Sequence, residues 1–274
     1  MQTKYDLLAL DLDGTLLAES KKNDNPLSPA NIEAVKELSR RGVEVLVATG
    51  RMYCSALPYV QKLGLSGPVI TYNGALIKDS VDDEILDHYP VPLPETRQII
   101  QDTVHKDLHL NLYLDDILYV EKENFLSRGY EEDVGVPARP VGSLLNFIDS
   151  KNQSPTKLLV IEEDRNRFDE LREYYRQNFA DRLTITESKE HYLEFCALEA
   201  SKGQALQKMA RQKNIPRQRV MAVGDSNNDL SMLEWAGCGV AVENAAKEIK
   251  SKADLVIPGP ENDGIAHLIE KYIN

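Results

Sequence analysis

The feature that most constrains the fold of this chain is a pattern that occurs three times, a short apolar run followed directly by a polar turn with glycine. The runs are residues 5–10, 43–48 and 219–223, each apolar except for one charged residue, and the turns after them begin at Asp11, Thr49 and Gly224. Continuous apolar runs of this length are typical of strands buried on both faces of a parallel sheet. The carboxyl ends of parallel strands meet at one edge of the sheet, where open α/β folds bind their ligands. The pattern therefore predicts that the three turns form one site.

The segments between these runs predict helices. Ser28 and Pro29 indicate a helix start, because serine caps helix N-termini and proline fits the first helical position, and Gly42 indicates its end. The chain thus opens as strand–helix–strand, and the same style returns after Ser201-Lys202-Gly203. This alternation predicts an α/β fold with a doubly wound, parallel, Rossmann-like core.

A segment of different style interrupts this core. Between about residues 84 and 195, pairs of apolar runs that resemble hairpins alternate with helical patterns, which indicates an α+β domain with an antiparallel sheet. We therefore expect residues 1–83 and 196–274 to form the core and residues 84–195 to form an inserted domain.

Charge and cysteine content limit the class of partner. The chain has 32 basic and 44 acidic residues, a formal net charge of −12, and no dense basic cluster, so we expect neither a nucleic-acid nor a membrane partner. Charges interrupt every apolar stretch before it reaches bilayer-spanning length. Cys54, Cys196 and Cys238 show no paired spacing, which favours a reducing, cytoplasmic location. The oligomeric state stays open.

Four carboxylates follow the predicted strands, those of Asp11, Asp13, Asp225 and Asp229. Such a cluster requires a cation, because mutual repulsion otherwise raises the pKa values of the carboxyl groups. Oxygen ligands with room for water and phosphate suit Mg²⁺ better than zinc. A bridging Mg²⁺ would let the Asp11 carboxylate approach a phosphorus atom although both groups are negative. The sequence therefore predicts magnesium-dependent chemistry on a phosphate ester.

In this order, the residues resemble the four sequence motifs of the haloacid dehalogenase superfamily, and within it the Cof-like phosphatases. The resembling stretches are residues 11–16, 49–51, 201–203 and 224–229, with further similarity at 239–245 and 262–264. The resemblance covers both core segments, whereas the inserted segment matches only in size and coarse pattern. It implies a phosphatase that hydrolyses small phosphorylated metabolites, sugar phosphates first among them, through an aspartyl-phosphate on Asp11.

The resemblance also implies roles for the matching positions. Asp11 would be the nucleophile and a magnesium ligand, and Asp13 would protonate the leaving oxygen, activate water and offer its backbone carbonyl to the metal. Asp225 would bind Mg²⁺, and Asp229 would support the metal shell. The phosphate would be held by a further set of residues: Leu12 and Gly50 through their backbone, Thr49, Lys202 and Asn228.

The place of the insertion indicates the type of inserted domain. About 35 residues separate Asp13 from Thr49, whereas about 150 separate Gly50 from Lys202. In the superfamily this placement resembles the C2-type caps, which implies that residues 84–195 set substrate specificity. Which ester is the physiological substrate is not determined, and pyridoxal phosphate and flavin mononucleotide stay open beside sugar phosphates.

Two other functions also stay open at this point. A phosphomutase of the same superfamily would share both acids and the position of the insertion, but it would have to protect the aspartyl-phosphate from water. A non-catalytic phosphate-binding regulatory protein would need neither the nucleophile nor the acid, so the presence of Asp11 and Asp13 argues against it.

Three local features allow more than one interpretation. Asn73-Gly74 predicts a tight type I′ hairpin, but it could also direct Asn73 toward the substrate. Arg51 could contact phosphate or the inserted domain, or pair with an acidic neighbour. His105 and His109 lie four residues apart near a predicted helix end, and without a third ligand a solvated helix face is favoured over a metal site.

Overall fold

A computed structural model describes residues 3–18 and 26–273 and divides the chain into two compact units. The first unit comprises Met1–Gly50, Ala56–Leu86 and Ser201–Asn274, and the second comprises Arg51–Ser55 and Asp87–Ala200. The first contains a parallel sheet and the second a largely antiparallel one, which confirms the predicted fold class.

The strands of the described residues are numbered in chain order: β1 Leu7–Leu10, β2 Glu44–Val47, β3 Pro68–Thr71, β4 Leu76–Asp79, β5 Ile85–His88, β6 His109–Leu114, β7 Ile117–Val120, β8 Ala138–Pro140, β9 Lys157–Ile161, β10 Leu183–Lys189, β11 Tyr192–Ala197, β12 Val220–Gly224, β13 Cys238–Val242 and β14 Leu255–Ile257. The α-helices are α1 Pro29–Arg40, α2 Tyr53–Lys62, α3 Leu93–His105, α4 Phe125–Val134, α5 Leu144–Lys151, α6 Arg165–Phe179, α7 Lys202–Gln212, α8 Leu230–Trp235, α9 Lys247–Lys252 and α10 Gly264–Leu268.

The sheet of the first unit has the strand order β14-β13-β12-β1-β2, and its neighbouring strands are parallel. From β1 the chain adds β2 on one side, and after the second unit it returns to add β12 on the other side. The strand order therefore reverses between β1 and β12, which is where doubly wound sheets leave a crevice at their carboxyl ends. Every residue of β1 is completely buried, as its continuous apolar sequence predicts.

Local signals account for the first helix of this unit. The Ser28 side chain accepts hydrogen bonds from the backbone N–H groups of Ala30 and Asn31, and Pro29 occupies the first helical position. The helix ends at Arg40, just before Gly42, which has a φ of +85°. The predicted start and end of α1 are thus confirmed.

The second unit contains a six-stranded sheet of order β10-β11-β9-β6-β7-β8, antiparallel except for the pair β7 and β8. Alternate residues of β6, such as Leu110 and Leu112, enter a buried apolar cluster that also receives side chains from α3, α5 and α6. This unit therefore has a hydrophobic core of its own.

The connection from β3 to β4 differs from the predicted type I′ turn. Thr71 pairs with Leu76, so the loop has four residues instead of two, and it contains a 3₁₀ turn at Tyr72–Gly74. The prediction of a two-residue loop is therefore wrong. The longer loop makes contacts outside the hairpin, which a two-residue turn would not reach.

His109 does not lie on a helix face, because α3 ends at His105 and His109 begins β6. Its ring nitrogens contact the side chains of Asn111 and Asn124. Among the described residues, no helix is both long and apolar enough to cross a membrane.

Candidate active site

Asp11 and Asp225 follow the carboxyl ends of β1 and β12, on either side of the point where the strand order reverses. Leu10 pairs with Val223 in the parallel register, and the Asp11 N–H donates to the Val223 carbonyl at 3.1 Å. The sheet itself therefore brings together two carboxylates that lie more than 200 residues apart in the sequence.

The turn after Asp11 folds back tightly onto Asp225. The Leu12 carbonyl accepts hydrogen bonds from the N–H groups of Thr15, Leu16 and Leu17. Gly14 has a φ of +78°, and a Cβ atom there would lie 2.7 Å from Asp225 Oδ2. Glycine is therefore required at this position for both its backbone conformation and its lack of a side chain.

Thr15 and Asn244 belong to the site although the sequence analysis assigned them no role. Thr15 Oγ1 donates to Asp225 Oδ1 at 3.0 Å, which orients that carboxylate. Asn244 Nδ2 donates to the Gly14 carbonyl at 2.8 Å and so supports the turn. Residues 239–245 resemble a stretch of the superfamily, and that similarity is the signal in the sequence that points to Asn244.

Lys202, the first residue of α7, places its ammonium group between two carboxylates. Its Nζ atom lies 2.7 Å from Asp11 Oδ1 and 2.6 Å from Asp229 Oδ1, and its side chain is completely buried. Burial alone would lower the pKa of Lys202, but the charges of Asp11 and Asp229 raise it above its usual value. Lys202 is therefore a permanent cation at the site.

Asp229 uses both carboxylate oxygens within the protein. Oδ1 accepts from Lys202, and Oδ2 accepts from the backbone N–H groups of Asp225 and Ser226 at 2.9 and 3.1 Å. Asp229 therefore holds the loop after β12 in place.

Three carboxylates lie close enough to hold a metal ion. Oxygen atoms of Asp11, Asp225 and Asp229 lie within 4.8 Å of one another. Because Asp229 is engaged by Lys202 and the backbone, Asp11 and Asp225 are the better placed ligands. An oxygen-only donor set of this kind suits a hard cation such as Mg²⁺, so the residues fit the metal expected from the sequence.

The Asp11 carboxyl group is buried beside other negative charges. Burial raises its pKa well above the usual range, Lys202 opposes that shift, and Asp229, Asp225 and Asp13 add to it. Asp13 itself is exposed. A cation bound between these carboxylates would offset the free-energy cost of ionising Asp11.

Thr49 and Gly50 follow β2, and Asn228, from the loop after β12, lies close to Gly50. Thr49 is completely buried, and its N–H donates to the Ile70 carbonyl at 2.9 Å. A Cβ atom on Gly50 would lie 3.6 Å from Asn228 Nδ2, so the two residues are neighbours. All the predicted site residues lie in the first unit.

Arg51 is assigned to the second unit, and its Nη1 atom donates to Ser55 Oγ at 3.3 Å. Neither Arg51 nor the two histidines considered above belongs to the group of residues just described. The candidate site thus consists of residues from β1, β2, α7 and β12 and the turns that follow the strands.

The chain matches the family described as haloacid dehalogenase-like hydrolases over residues 8–269. Phosphatase YwpJ of Bacillus subtilis is 32% identical, and the alignment covers 97% of this chain and 99% of that protein. Pyridoxal phosphate phosphatase YbhA of Escherichia coli is 28% identical over 97% of this chain and 98% of its own length.

A solved structure extends this similarity to three dimensions. The crystal structure of TM0651 from Thermotoga maritima superposes with a TM-score of 0.86 at 31% identity, and covers 98% of both chains. The similarity in sequence and in structure therefore extends over both units.

Proposed function

The chain belongs to the haloacid dehalogenase-like hydrolases and is a phosphoric monoester hydrolase of that superfamily, and we propose that it cleaves small phosphorylated metabolites with Mg²⁺ through an aspartyl-phosphate on Asp11. The observation that carries this proposal is the buried contact of 2.7 Å between Lys202 Nζ and Asp11 Oδ1, next to Asp225. This contact places a nucleophilic oxygen, a fixed positive charge and a candidate metal ligand in one site.

Asp11 and Asp225 would hold the metal through their carboxylates, and Asp13 through its backbone carbonyl. When bound, Mg²⁺ would supply positive charge that lowers the repulsion between a carboxylate nucleophile and a phosphate. Thr15 supports this arrangement, because its hydroxyl donates to Asp225 Oδ1 and fixes the direction of the other oxygen.

Asp11 would attack the phosphorus with one carboxylate oxygen, forming the P–O bond of an aspartyl-phosphate as the ester P–O bond breaks. Lys202 would hold the carboxylate of Asp11 in position and neutralise charge on the phosphoryl group. Its contact with Asp229 keeps the ammonium group in place when Asp11 becomes an acyl phosphate and loses its charge.

Asp13 would act as the acid and then the base. It would give a proton to the departing ester oxygen, and then accept a proton from the water that attacks the aspartyl-phosphate and releases inorganic phosphate. Its exposed side chain and its place on the turn after β1 support this role, because the leaving group and water both have to reach it.

The transferred phosphoryl group would be held by the Thr49 hydroxyl, the Asn228 amide, and backbone N–H groups of Leu12 and Gly50. Buried donors of this kind stabilise developing charge more strongly than water does. Thr49 is completely buried, and a Cβ atom on Gly50 would lie 3.6 Å from Asn228 Nδ2, which supports a shared role for these residues.

We propose sugar phosphates as the first substrate class, with pyridoxal phosphate as the second. A relative is named for pyridoxal phosphate, which supports a substrate of that size. Residues 84–195 would act as a C2-type cap that selects among esters. Their position between the second and third motifs supports this, as does a hydrophobic core separate from the catalytic residues.

The test is phosphate release from a panel of sugar, nucleotide and cofactor phosphates, with Mg²⁺ or with EDTA. We expect Mg²⁺-dependent release that Asp11→Asn abolishes. Asp82→Asn is the matched control, because Asp82 lies on an exposed turn where asparagine can accept the same hydrogen bond from the Glu84 N–H. Release that survives Asp11→Asn would contradict the mechanism, and isomerisation of a hexose phosphate without release would identify a mutase.

Metal binding can be tested without turnover. A ligand at 100 times its Kd stabilises a protein by about 2.7 kcal/mol, so Mg²⁺ should raise the melting temperature of the wild type. Asp225→Asn should reduce this rise. An equal rise in both proteins would show that Mg²⁺ binds elsewhere.

A further inference from the structure

The turn at Tyr72–Gly74 has an unusual backbone. Tyr72, Asn73 and Gly74 have φ values of +50°, +58° and +96° in succession. Positive φ is disfavoured for a bulky residue such as tyrosine, and such conformations persist only where surrounding contacts hold them. Tyr72 and Asn73 are both buried, so the contacts that hold this turn lie inside the protein.

Two of these contacts join the backbone of the turn to other parts of the candidate site. The Asn73 N–H donates to the Thr49 carbonyl at 3.0 Å. A Cβ atom on Gly74 would lie 2.3 Å from the Ser201 carbonyl oxygen, so the turn packs directly against the residue before Lys202. The turn therefore touches both the second and the third motif.

The third contact comes from the side chain. Asn73 Oδ1 accepts a hydrogen bond from Asn228 Nδ2 at 2.9 Å, and it would lie 2.8 Å from a Cβ atom on Gly50. The Asn73 side chain thus lies between the second motif and the fourth, beside two of the residues expected to hold phosphate.

These bonds determine how the Asn228 amide is oriented. Asn228 Oδ1 accepts from Ser226 Oγ at 2.8 Å while Nδ2 donates to Asn73, so a rotation of the amide by 180° would place Asn228 Oδ1 against the Asn73 oxygen and lose the bond between the two amides. An amide nitrogen carries two hydrogens. With one directed to Asn73, the direction of the other is fixed as well.

We propose that Asn73 is a positioning residue of the phosphate site, which sets the direction of the Asn228 N–H and the position of the Gly50 backbone. The inference rests on the proposed function, because it takes Asn228 and Gly50 to be phosphate ligands. A neutral acceptor is required at Asn73. A carboxylate could accept the same hydrogen bond, but it would place a negative charge beside the phosphate.

The experiment compares Asn73→Gly and Asn73→Asp, since both residue types tolerate positive φ. Binding of inorganic phosphate is measured by calorimetry with Mg²⁺ present, and KM and kcat are measured on the best ester of the panel. Asn214→Gly is the matched control, because Asn214 also has a positive φ, +55°, and is exposed in the same unit.

Asn73→Gly should weaken phosphate binding and raise KM by about tenfold, the effect of one lost hydrogen bond to a buried group. Asn73→Asp keeps the hydrogen-bond acceptor, but it should weaken phosphate binding and raise KM by more than Asn73→Gly does. Asn214→Gly should leave both within twofold of the wild type.

A double-mutant cycle separates positioning from a general loss of structure. In an Asn228→Ala background, Asn73→Gly should weaken phosphate affinity less than it does in the wild type, because part of its effect acts through Asn228. Additive effects would overturn the inference, as would unchanged phosphate affinity in both Asn73 variants. If the wild type binds phosphate without hydrolysing any ester, and the Asn73 variants bind phosphate more weakly, the inference about Asn73 would be supported. Only the proposed hydrolysis would then be contradicted.

Discussion

Lys202 Nζ lies 2.6 Å from Oδ1 of Asp229, and neither side chain has any exposure to solvent. The same ammonium group lies 2.7 Å from Asp11 Oδ1, so one buried cation faces two carboxylates. A buried charge that loses its partner is strongly destabilising. This arrangement therefore links the stability of the first unit to its proposed chemistry.

Lys202→Met should destabilise the first unit by about 3 kcal/mol, because two buried carboxylates lose their cation. It should also lower phosphate release by at least about 100-fold, since a fixed charge at the phosphoryl group is lost. Urea denaturation and turnover measure the two effects. Lys213→Met is the control, because the ion pair of Lys213 with Glu44 is partly exposed and contributes about 1 kcal/mol or less. Equal losses in the two variants would refute the prediction.

Gly14→Ala should weaken Mg²⁺ binding as well as stability. Its φ of +78° is strained for alanine, and the added Cβ would lie 2.7 Å from Asp225 Oδ2, which has to move. Gly142→Ala is the matched control, because Gly142 has a φ of +76° with nothing within 4 Å of the added Cβ.

We expect Gly142→Ala to lose about 1 kcal/mol of stability from backbone strain alone and to keep its response to Mg²⁺. Thermal melts of both variants with and without Mg²⁺ provide the measurement. A Gly14→Ala protein with the full Mg²⁺-induced rise in Tm would show that the Asp225 carboxylate does not depend on this turn.

His109 should make the second unit less stable at acid pH. Burial lowers its pKa in the folded state, and the hydrogen bond with Asn111 opposes that shift only in part. The unfolded chain, with a histidine pKa of about 6.5, therefore binds a proton more readily. The contribution of neutral His109 to the free energy of unfolding should be fully present above pH 6.5. It should decrease as the pH falls from there toward the pKa of His109 in the folded state.

His109→Gln should reduce this pH dependence, since glutamine does not titrate and can both donate and accept hydrogen bonds as the neutral ring does. Urea denaturation at several pH values between 5 and 7.5 measures it. His105→Gln, at an exposed position of α3, is the control with which His109→Gln is compared. If the free energy of unfolding changed with pH as steeply in His109→Gln as in the wild type, His109 would not be the source of the pH dependence.

Asp116→Asn should make Cys54 more reactive toward thiol reagents. Partial desolvation by its neighbours and the charge of the Asp116 carboxylate raise the pKa of Cys54, an exposed residue, to about 12. Loss of the charge should lower that pKa, and the rate at pH 8 should increase by roughly threefold for each unit by which it falls, because the thiolate fraction increases while the thiolate becomes less nucleophilic.

The rate with a thiol-specific reagent at pH 8 measures this effect, and Cys196 and Cys238 are buried. Asp115→Asn is the control, because Asp115 has a positive φ as Asp116 does. In the part of the chain that the structure describes, the two backbone N–H groups at the start of α2 donate to Asp116 and not to Asp115. A rate that rises equally in both variants would point to an opening of the turn instead of a change in charge.

Local sequence patterns were sufficient to predict the α/β class, the start and end of α1, and the strand ends at Asp11 and Asp225. These features follow from local rules. Buried parallel strands are continuously apolar, serine and proline begin helices, and the carboxyl ends of parallel strands lie at one edge of a sheet. The interpretation of Asp11 and Asp225 as neighbours needed only the direction of the strands.

The surroundings of Asn73 and His109, and the contact of Lys202 with Asp229, depend on the packing of residues that are distant in the sequence. A four-residue loop that contains Asn73 replaces the predicted type I′ turn. The Asn73 side chain accepts a hydrogen bond from Asn228, which is 155 residues away in the sequence. Lys202 faces Asp11 across 191 residues, and His109 lies on a strand instead of a helix. Contacts between distant residues can outweigh local turn and helix preferences, because burial and paired charges involve larger free energies than those preferences do.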